Sequence, residues 1–335
     1  MHNTIIFVAG RSGGHILPCI NLAQELKKQS LASKFIFITT NTPLDNKILA
    51  NHKWIDAHHA LKLDNFPGKK IVKYPSFIWQ FFICFIQSAY IIYTTKPKEI
   101  ISTGGYIALP ICFAAKLLRV PITLYELNVI PGKAIKVLAP FASTMHSCFL
   151  QTQNYLPNIK CCLTAYPIKQ SLKKLPSQDD ALKELGFSVE KKTIFILGGS
   201  QGSLFLNKLI HAIVQSTHSL QIIHQTGNDD SIDWQAFYTH QQIPAYIFSF
   251  DSAIERYYAA ADVVICRAGA GTLFELIHSN KKAITIPLQI KSTDHQKYNA
   301  LALAEQYPHL ITVLEQQEIE NNPTFFIEKL NNLIG

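Results

Sequence analysis

"TIIFVAGRSGGHILPCINLAQELKK", residues 4–28, decides the fold. A run of β-branched and aromatic residues comes first, a turn with three glycines follows, and an amphipathic stretch, His15–Lys28, closes the segment. This order predicts a buried strand, a tight turn and a helix. Strand, turn and helix repeated in this way are typical of a parallel sheet with helices on both faces.

The same order recurs along both halves of the chain. In the first half, strands are predicted at 34–39, 99–103 and 121–126, with a helix over 107–119. The second half restarts at "KTIFILGGSQGSLFLNKLIHAIV", residues 192–214, which repeats strand, glycine turn and helix. We therefore predict the α/β class, with two doubly wound Rossmann-like domains placed end to end.

Length and composition agree with two domains of ordinary size. The chain has 335 residues, of which 48% are apolar and 16% charged, so folded domains are expected and disorder is not. We predict a first domain at 1–160, a second at 161–321, and a last helix at 322–335 that could join the first domain or pack on the second. Ligands are expected in an interdomain cleft, at the carboxyl ends of both sheets.

Positive charge is concentrated in the first half. Residues 1–160 hold 17 lysines and arginines against 6 acidic residues, whereas the remainder holds 14 against 17. Such a field suits an anionic membrane surface or a phosphorylated substrate. Nucleic acid is not expected as a partner, because the lysines are scattered and no nucleic-acid module is recognisable. With no secretory signal and no CxxC pair among seven cysteines, a cytosolic chain with reduced thiols is expected.

Four glycine-rich turns lie where strands give way to helices. They fall at 10–14, 102–110, 198–202 and 266–276. A glycine turn that enters a helix lets backbone N–H groups approach an anion, and the helix N-terminus adds partial positive charge. One such turn can serve backbone geometry alone, but four on one rim favour phosphate binding.

The usual nucleotide fingerprints do not fit. A dinucleotide fold needs G-x-G-x-x-G and an acidic residue that closes the second strand, whereas the spacing here is G-x-x-G-G and the first carboxylate after that strand is Asp45. The chain contains no P-loop and no Asp-x-Asp. A diphosphate would therefore be stabilised by backbone dipoles and a cation, and no metal is expected.

Glu275 occupies a more specific position. It lies one turn inside the helix that "GAGT" would start, so its carboxylate could accept two hydroxyl hydrogen bonds while the helix N-terminus holds phosphate. The polar stretch 287–300 follows, with imidazole and amide groups that suit sugar hydroxyls. This pattern favours a nucleotide diphosphate sugar. The alternative is that Glu275 is an ordinary solvated helix residue.

Seven motifs, in order along the whole chain, resemble those of the MurG family of bacterial N-acetylglucosaminyltransferases. They are "GRSGGHILP", "STGGYIALP", "YELNVIPG", "AYPIK", "GGSQGS", "CRAGAGTLFEL" and "DHQKYNA". The resemblance implies a GT-B fold and an inverting, metal-independent transfer of GlcNAc from UDP-GlcNAc. The implied acceptor is the 4-hydroxyl of MurNAc in lipid I, undecaprenyl-pyrophosphoryl-MurNAc-pentapeptide, and the implied product is the lipid II of peptidoglycan synthesis.

The resemblance also assigns roles to residues. His15 is the candidate general base, because imidazole titrates near physiological pH, and Glu126 is the competing base. The acceptor pyrophosphate is expected at Gly13, Gly14, Gly104, Gly105 and Tyr106. The UDP-GlcNAc site is expected to include Ser12, Gly13, Gly14, Asn128, Lys169, Ser200, Gln201, Asp251, Ala270, Gly271, Thr272, Leu273, Phe274, Glu275, His295 and Gln296. No cofactor is implied.

Within the donor set, Glu275 would hold the ribose hydroxyls, and the backbone at Asp251 would meet uracil. Several positions depart from the family pattern, including Tyr125 and Leu127 beside Glu126 and Tyr166 and Ile168 before Lys169. Arg11 replaces a glycine, Lys169 replaces an arginine and so loses the bidentate fork, and Ile135 replaces an asparagine. These departures indicate a divergent member of the family.

Residues 74–95, "YPSFIWQFFICFIQSAYIIYTT", are long enough to span a bilayer and carry no charge. A spanning helix would interrupt the sheet, so we predict an amphipathic helix with one packed side and one exposed patch. The predicted membrane patch consists of Phe77, Trp79, Phe82, Phe85, Lys69, Lys70 and Lys73. Together with the resemblance, it predicts a peripheral protein at the cytoplasmic face of the bacterial inner membrane, with other cell-wall synthesis proteins as further partners. The alternative is a wholly buried core helix.

Two other functional classes stay open from the sequence. One is another UDP-sugar enzyme of the same fold, including a UDP-GlcNAc 2-epimerase, which would act without a lipid acceptor. The other is a non-catalytic membrane scaffold, which would show no stabilisation by UDP.

Overall fold

The computed structural model describes residues 3–10, 12–199, 202–216, 220–228, 232–288 and 294–335. The chain divides into two compact units, Met1–Pro167 and Ile168–Gly335, here called unit 1 and unit 2. The predicted first boundary, at 160, is too early. The strand Cys161–Leu163 pairs with the strand Thr144–Ser147, so its hydrogen bonds hold these residues in unit 1.

Unit 1 is built on one parallel sheet. Its strands are β1 (Thr4–Val8), β2 (Lys34–Thr40), β3 (Ala57–Leu61), β4 (Glu99–Ser102), β5 (Ile122–Glu126), β6 (Thr144–Ser147) and β7 (Cys161–Leu163). They lie in the order β3-β2-β1-β4-β5-β6-β7, and every pairing is parallel. The strand order reverses direction between β1 and β4, which is the position where doubly wound sheets bind ligands.

The helices of unit 1 cover both faces of this sheet. They are α1 (Gly13–Lys28), α2 (Pro43–Ala50), α3 (Tyr74–Thr95), α4 (Ala108–Leu117) and α5 (Lys133–Leu138), with 3₁₀ turns at Ile71–Lys73, Ala139–Phe141 and Leu150–Tyr155. Alternate residues of β1 point to opposite faces. Ile6 and Val8 pack with residues of α3 and α4, whereas Ile5 and Phe7 pack with residues of α1.

Unit 2 repeats the arrangement. Its strands are β8 (Lys192–Leu197), β9 (Leu220–Gln225), β10 (Ala245–Phe248), β11 (Val263–Arg267), β12 (Lys282–Ile286) and β13 (Ile311–Val313). They lie in the order β10-β9-β8-β11-β12-β13, again all parallel. The reversal falls between β8 and β11, so the four predicted glycine turns follow the four strands that flank the two reversals.

The helices of unit 2 include the carboxyl-terminal helix of the chain. They are α6 (Gln178–Glu184), α7 (Leu204–Ser216), α8 (Trp234–His240), α9 (Glu255–Ala260), α10 (Ala270–His278), α11 (His295–Gln306), α12 (Gln316–Asn321) and α13 (Pro323–Ile334), with a 3₁₀ turn at Gln170–Lys173. Phe326 and Leu330 of α13 are buried in one core cluster with Leu206 and Ile210 of α7. The terminal helix therefore packs on unit 2, and the alternative that it joins the first domain is wrong.

One side of α3 is packed and the other is exposed. Phe77, Phe81 and Phe85 are partly buried against the core, which corrects the placing of Phe77 and Phe85 in the exposed patch. Their spacing of four residues puts them on the face that packs. Trp79 and Phe82 are 63% and 53% exposed, as predicted. The other large apolar residues on the exposed side, called the α3 face with these two, are Ile71, Val72, Ile78, Ile83, Ile86, Tyr90 and Tyr93.

By length and composition, the helical segment 71–95 is the one candidate membrane span in the described part of the chain. Only 22% of its most apolar window is buried. The alternative of a wholly buried core helix is therefore wrong. Lys69, Lys70 and Lys73 are exposed beside its amino-terminal end.

Candidate active site

The turn after β1 contains glycines of two kinds. A Cβ at Gly10 would lie 2.9 Å from the Thr40 hydroxyl oxygen and 3.0 Å from the Thr40 backbone nitrogen, so glycine allows β1 and β2 to end close together. At Gly13 and Gly14 the nearest atoms to such a Cβ are 3.6 and 3.9 Å away. Packing does not require glycine at these two positions, which leaves room for a ligand beside the first N–H groups of α1. Arg11 lies outside the described residues.

His15 is oriented by the end of β4. Its Nδ1 lies 2.9 Å from the carbonyl oxygen of Thr103, and the Thr103 hydroxyl donates to the carbonyl oxygen of His15 at 3.0 Å. A carbonyl oxygen only accepts hydrogen bonds, so Nδ1 of His15 carries the proton. In the neutral ring, Nε2 is then the nitrogen that can take up a proton.

The turn after β4 is left-handed at two successive residues. Gly104 and Gly105 have φ values of +98° and +84°, a region that side chains rarely adopt. A Cβ at Gly104 would lie 3.2 Å from Ile135 Cγ1 and 3.9 Å from His15 Cε1. Ile135 is 1% exposed and belongs to the core. The structure therefore brings His15 and Gly104 together, and the position usually held by asparagine has become part of the apolar packing.

Glu126 ends β5 and closes the loop that follows it. One carboxylate oxygen accepts the N–H groups of Leu127 and Asn128 at 2.9 Å and the side-chain amide of Asn128 at 3.0 Å. The other oxygen accepts the N–H of Gly132 at 2.9 Å. Burial raises the pKa of Glu126 to about 7, although these four hydrogen bonds lower it in part. The side chain is 2% exposed, so it holds the loop 127–132 in place.

In unit 2 the glycine turn after β8 is tightly packed. A Cβ at Gly198 would lie 2.6 Å from the nitrogen of Ser203, and one at Gly202 would lie 2.6 Å from the carbonyl oxygen of Thr226. Both glycines are required by close approach of the backbone. The predicted donor residues Ser200 and Gln201 lie outside the described residues.

The turn after β11 is open. Gly269, the N-cap of α10, has an extended backbone, and because it is a glycine it has no side chain that could cap the helix. Ala270, Gly271 and Thr272 form the first turn, whose N–H groups have no acceptor within an α-helix. This end of α10 can accept an anion. Of the next two predicted residues, Leu273 is fully buried and contributes to packing, whereas Phe274 is partly buried.

Glu275, on the second turn of α10, is part of a charged group. The buried hydroxyl of Tyr258 donates to Oε2 of Glu275 at 2.9 Å. Burial raises the pKa of Glu275, the Tyr258 hydroxyl and Lys169 lower it, and Glu255 raises it further. Lys169 Nζ lies 3.0 Å from a carboxylate oxygen of Glu255 and donates to the carbonyl oxygen of Ser252 at 2.6 Å.

Asp251 belongs to the loop that follows β10. It accepts the N–H of Ala253 at 2.8 Å, and the guanidinium of Arg256 and the hydroxyl of Tyr257 at 2.6 Å each. Burial alone would raise the pKa of Asp251, but these three donors lower it below its ordinary value. Arg256 also pairs with Glu184 of α6 at 2.6 Å. The loop at 249–254 is thus held on two sides, while Phe250 stays 64% exposed.

Arg267 is a residue that the sequence analysis did not single out. It ends β11 and is 8% exposed, and burial lowers its pKa. Its guanidinium donates to the Ser203 hydroxyl at 3.0 Å, to the Ile286 carbonyl at 3.4 Å and to the Gln316 amide oxygen at 3.2 Å. These partners are neutral, so the guanidinium adds positive charge at the carboxyl end of the sheet, beside the start of α7. The signal in the sequence was one arginine in the otherwise apolar strand "VVICR".

The remaining predicted residues lie at the start of α11. His295 is the first residue of this helix, and the side-chain oxygen of Gln296 accepts the N–H of Leu288 at 2.8 Å. Asn128, by contrast, lies in unit 1, where its amide binds Glu126. Among the described residues there is no group of three or more His, Cys, Asp or Glu side chains that could hold a metal ion.

Two doubly wound parallel sheets in one chain, each with glycine turns at its reversal point, are the architecture of the GT-B fold. Residues 5–147 match the glycosyltransferase family 28 N-terminal domain, and residues 193–334 match the family 28 C-terminal domain. The chain belongs to glycosyltransferase family 28 and, within it, to the MurG family of N-acetylglucosaminyltransferases.

The similarity extends over nearly the whole chain. A protein of Caldicellulosiruptor saccharolyticus, named UDP-N-acetylglucosamine--N-acetylmuramyl-(pentapeptide) pyrophosphoryl-undecaprenol N-acetylglucosamine transferase, is 30% identical over 339 residues, which cover 98% of this chain and 89% of that protein. The protein of the same name from Protochlamydia amoebophila is 32% identical over 90% of this chain and 80% of its own length. The crystal structure of Acinetobacter baumannii MurG superposes with a TM-score of 0.77 at 23% identity, covering 99% of this chain and 91% of that one.

Proposed function

We propose that this protein transfers GlcNAc from UDP-GlcNAc to the 4-hydroxyl of MurNAc in lipid I and so forms lipid II for peptidoglycan synthesis. The relatives described above carry this activity in their names. The observation that carries the proposal is the orientation of His15 by the carbonyl oxygen of Thr103, which makes Nε2 the proton-accepting nitrogen at the glycine turns of unit 1.

Unit 1 binds the acceptor. The open N–H groups at Gly13 and Gly14 and the left-handed turn at Gly104 and Gly105 suit the oxygens of a pyrophosphate. His15 accepts the proton of the 4-hydroxyl on Nε2 as the oxygen attacks C1 of GlcNAc. Glu126 is the less suitable base, because both of its oxygens already accept N–H groups of the loop that follows it.

Unit 2 binds the donor. The Glu275 carboxylate accepts the ribose hydroxyls on its second oxygen, since Tyr258 donates to the first. The N-terminus of α10 receives the diphosphate, and the backbone of the loop at Asp251 meets uracil. The bond between C1 and the diphosphate oxygen breaks in the same step that forms the new glycosidic bond, so one in-line displacement inverts the anomeric centre. The electron pair leaves on UDP.

The departing diphosphate gains negative charge in the transition state. Backbone dipoles at the start of α10, the Lys169 ammonium and the Arg267 guanidinium at the carboxyl end of the sheet supply positive potential there. We propose that this stabilisation needs no metal ion. Lys169 supplies a point charge where an arginine would supply a fork.

The α3 face binds the membrane that carries the acceptor. Trp79 and Phe82 are the aromatic residues at its centre, and Lys69, Lys70 and Lys73 stand beside its amino-terminal end. Exposed aromatic side chains next to lysines suit the interface of an anionic leaflet. We place the protein at the cytoplasmic face of the inner membrane as a peripheral enzyme.

The proposal is tested by transfer of radiolabelled GlcNAc from UDP-GlcNAc to a lipid I analogue, with EDTA present throughout. We expect a labelled lipid product at the same rate with and without the chelator. Conversion of free UDP-GlcNAc without acceptor would favour the epimerase alternative. A folded protein whose melting temperature does not rise with UDP would favour the non-catalytic scaffold.

A further inference from the structure

An aromatic cluster connects the α3 face to the glycine turn of unit 1. The ring of Phe66 stacks on that of Tyr106 with centroids 5.6 Å apart and planes 18° apart. Edge contacts join Phe66 to Phe77 and to Tyr74, both with centroids 5.7 Å apart. Tyr106 directly follows the left-handed Gly104–Gly105 pair, and Phe77 belongs to α3.

The segment that carries Phe66 is fixed on both sides. Before it, the side chain of Gln80 accepts the N–H of Asp64 at 2.8 Å and donates to the Asp64 carboxylate at 2.9 Å. After it, the Tyr74 hydroxyl donates to the carbonyl oxygen of Gly68 at 3.0 Å. Despite this anchoring, Phe66 is 42% exposed. A large aromatic ring is therefore held in place with much of its surface open to solvent.

Charged and apolar side chains lie next to one another in the segment that follows Phe66. Lys69, Lys70 and Lys73 follow it, and the first turn of α3 contains no acidic residue, so this end of the cluster attracts anions. Ile71 and Val72, which lie between Lys70 and Lys73, are 78% and 93% exposed and begin the α3 face. A ligand with an anionic head and an unsaturated apolar tail matches this combination of lysines, exposed apolar residues and an exposed aromatic ring.

We propose that the cluster of Phe66, Tyr74, Phe77 and Tyr106 binds the first isoprene units of a polyprenyl diphosphate acceptor. This inference rests on the proposed function, because it takes the diphosphate to lie at the glycine turn beside Tyr106. The planar double bonds of the chain stack on the exposed part of Phe66, and the chain continues along the α3 face. The protein thereby recognises the lipid itself, independently of a membrane.

The test measures kcat/KM in detergent micelles with two acceptors that share the same sugar pyrophosphate. One acceptor carries a polyprenyl chain and the other a methyl group. We expect Phe66→Ala to lower kcat/KM about tenfold for the prenyl acceptor and less than about twofold for the methyl acceptor. Phe66→Leu, which keeps apolar bulk without the ring, is expected to give an intermediate loss. Leu117→Ala, at an exposed apolar residue of α4, should leave the ratio of the two values unchanged.

An equal loss for both acceptors would overturn the inference and make Phe66 a support for the glycine turn. No loss for either acceptor would overturn it as well. If the unaltered protein transfers GlcNAc to either acceptor, the proposed function is upheld, whatever the Phe66 variants show. If it transfers GlcNAc to neither acceptor, both the proposed function and the inference about Phe66 are wrong. Unchanged melting temperature and UDP affinity in each variant show that the fold is intact.

Discussion

The carboxyl edges of the two sheets are built from different kinds of contact. In unit 1, His15 is held by the carbonyl oxygen of Thr103, and Glu126 by three backbone N–H groups and one amide. In unit 2, charged side chains hold one another: Lys169 pairs with Glu255, and Arg256 with Asp251. Backbone partners fix a geometry, whereas side-chain partners can exchange with the groups of a ligand. We infer that unit 1 supplies a rigid base and unit 2 an adaptable charged site.

The largest expected effect falls on the base. His15→Ala should lower kcat about 1,000-fold, because general-base assistance contributes on that order, while the Kd for UDP-GlcNAc stays within about twofold. His15→Asn is the matched variant, since its amide N–H can keep the bond to the Thr103 carbonyl without providing a base. Single-turnover rates and calorimetric titration provide the two quantities. A near-normal rate in His15→Asn would show that orientation, and not proton transfer, is the role of this residue.

The second prediction concerns the rigid loop of unit 1. The pKa of Glu126 is raised by burial to about 7, so the folded protein binds a proton that the unfolded chain releases at lower pH. The contribution of Glu126 to the free energy of unfolding is therefore fully present at acidic pH. It is lost as the pH rises from the ordinary carboxyl range through about 7. Across that window, Glu126→Gln should remove about 3 kcal/mol of pH-dependent change in the free energy of unfolding.

Urea titrations of the unaltered protein and Glu126→Gln at several pH values measure this difference. Identical pH dependence in the two proteins would mean that Glu126 does not titrate on folding.

A smaller effect is expected in the adaptable site of unit 2. Glu275→Ala should weaken UDP binding about 30-fold, because a carboxylate that accepts hydroxyl groups in a partly buried site is lost. Glu328→Ala, on α13, is the control and should leave the affinity unchanged. Isothermal titration with UDP measures both. An unchanged Kd in Glu275→Ala would remove the ribose assignment.

The smallest predicted effect is on membrane binding, which we expect to depend on the surface of unit 1 and not on that of unit 2. Trp79→Ala should weaken binding to vesicles that contain anionic phospholipid about fivefold, since it removes one aromatic ring from the α3 face. Phe250, in unit 2, has nearly the same exposure as Trp79, 64% against 63%, and Phe250→Ala should not change vesicle binding. Equal losses in the two variants, measured by vesicle sedimentation, would contradict membrane binding through unit 1 alone.

Much of the fold could be predicted because its signals are local. The strands β1, β2, β4 and β5 lie in largely apolar runs, and each predicted span agrees with the structure to within one or two residues. The strand β3, "AHHAL", was not predicted, because it pairs on one side only and alternates between partly buried and exposed positions. Pairing of β7 with β6 likewise decides the domain boundary and has no local signal.

The candidate site was predictable in its residue types and not in its partners. Glycine turns, His15 and Glu275 are visible in motifs. The carbonyl oxygen of Thr103 that orients His15 comes from 88 residues further along the chain, and the Tyr258 hydroxyl that binds Glu275 lies 17 residues before it. The exposed and packed sides of α3 both contain phenylalanine, so composition alone could not separate Phe82 from Phe85.

The division of roles between the two units is tested most directly by the single-turnover rate of Glu275→Ala at saturating UDP-GlcNAc, measured beside His15→Ala. An interaction that is equally strong in the ground state and in the transition state changes the affinity for the donor. It does not change the rate at which the bound complex reacts. We predict that Glu275→Ala recovers a rate within about threefold of the unaltered protein, whereas His15→Ala stays about 1,000-fold slower at any donor concentration. A rate that stays equally low in both variants would contradict the account, because the base and the donor site would then act as one unit.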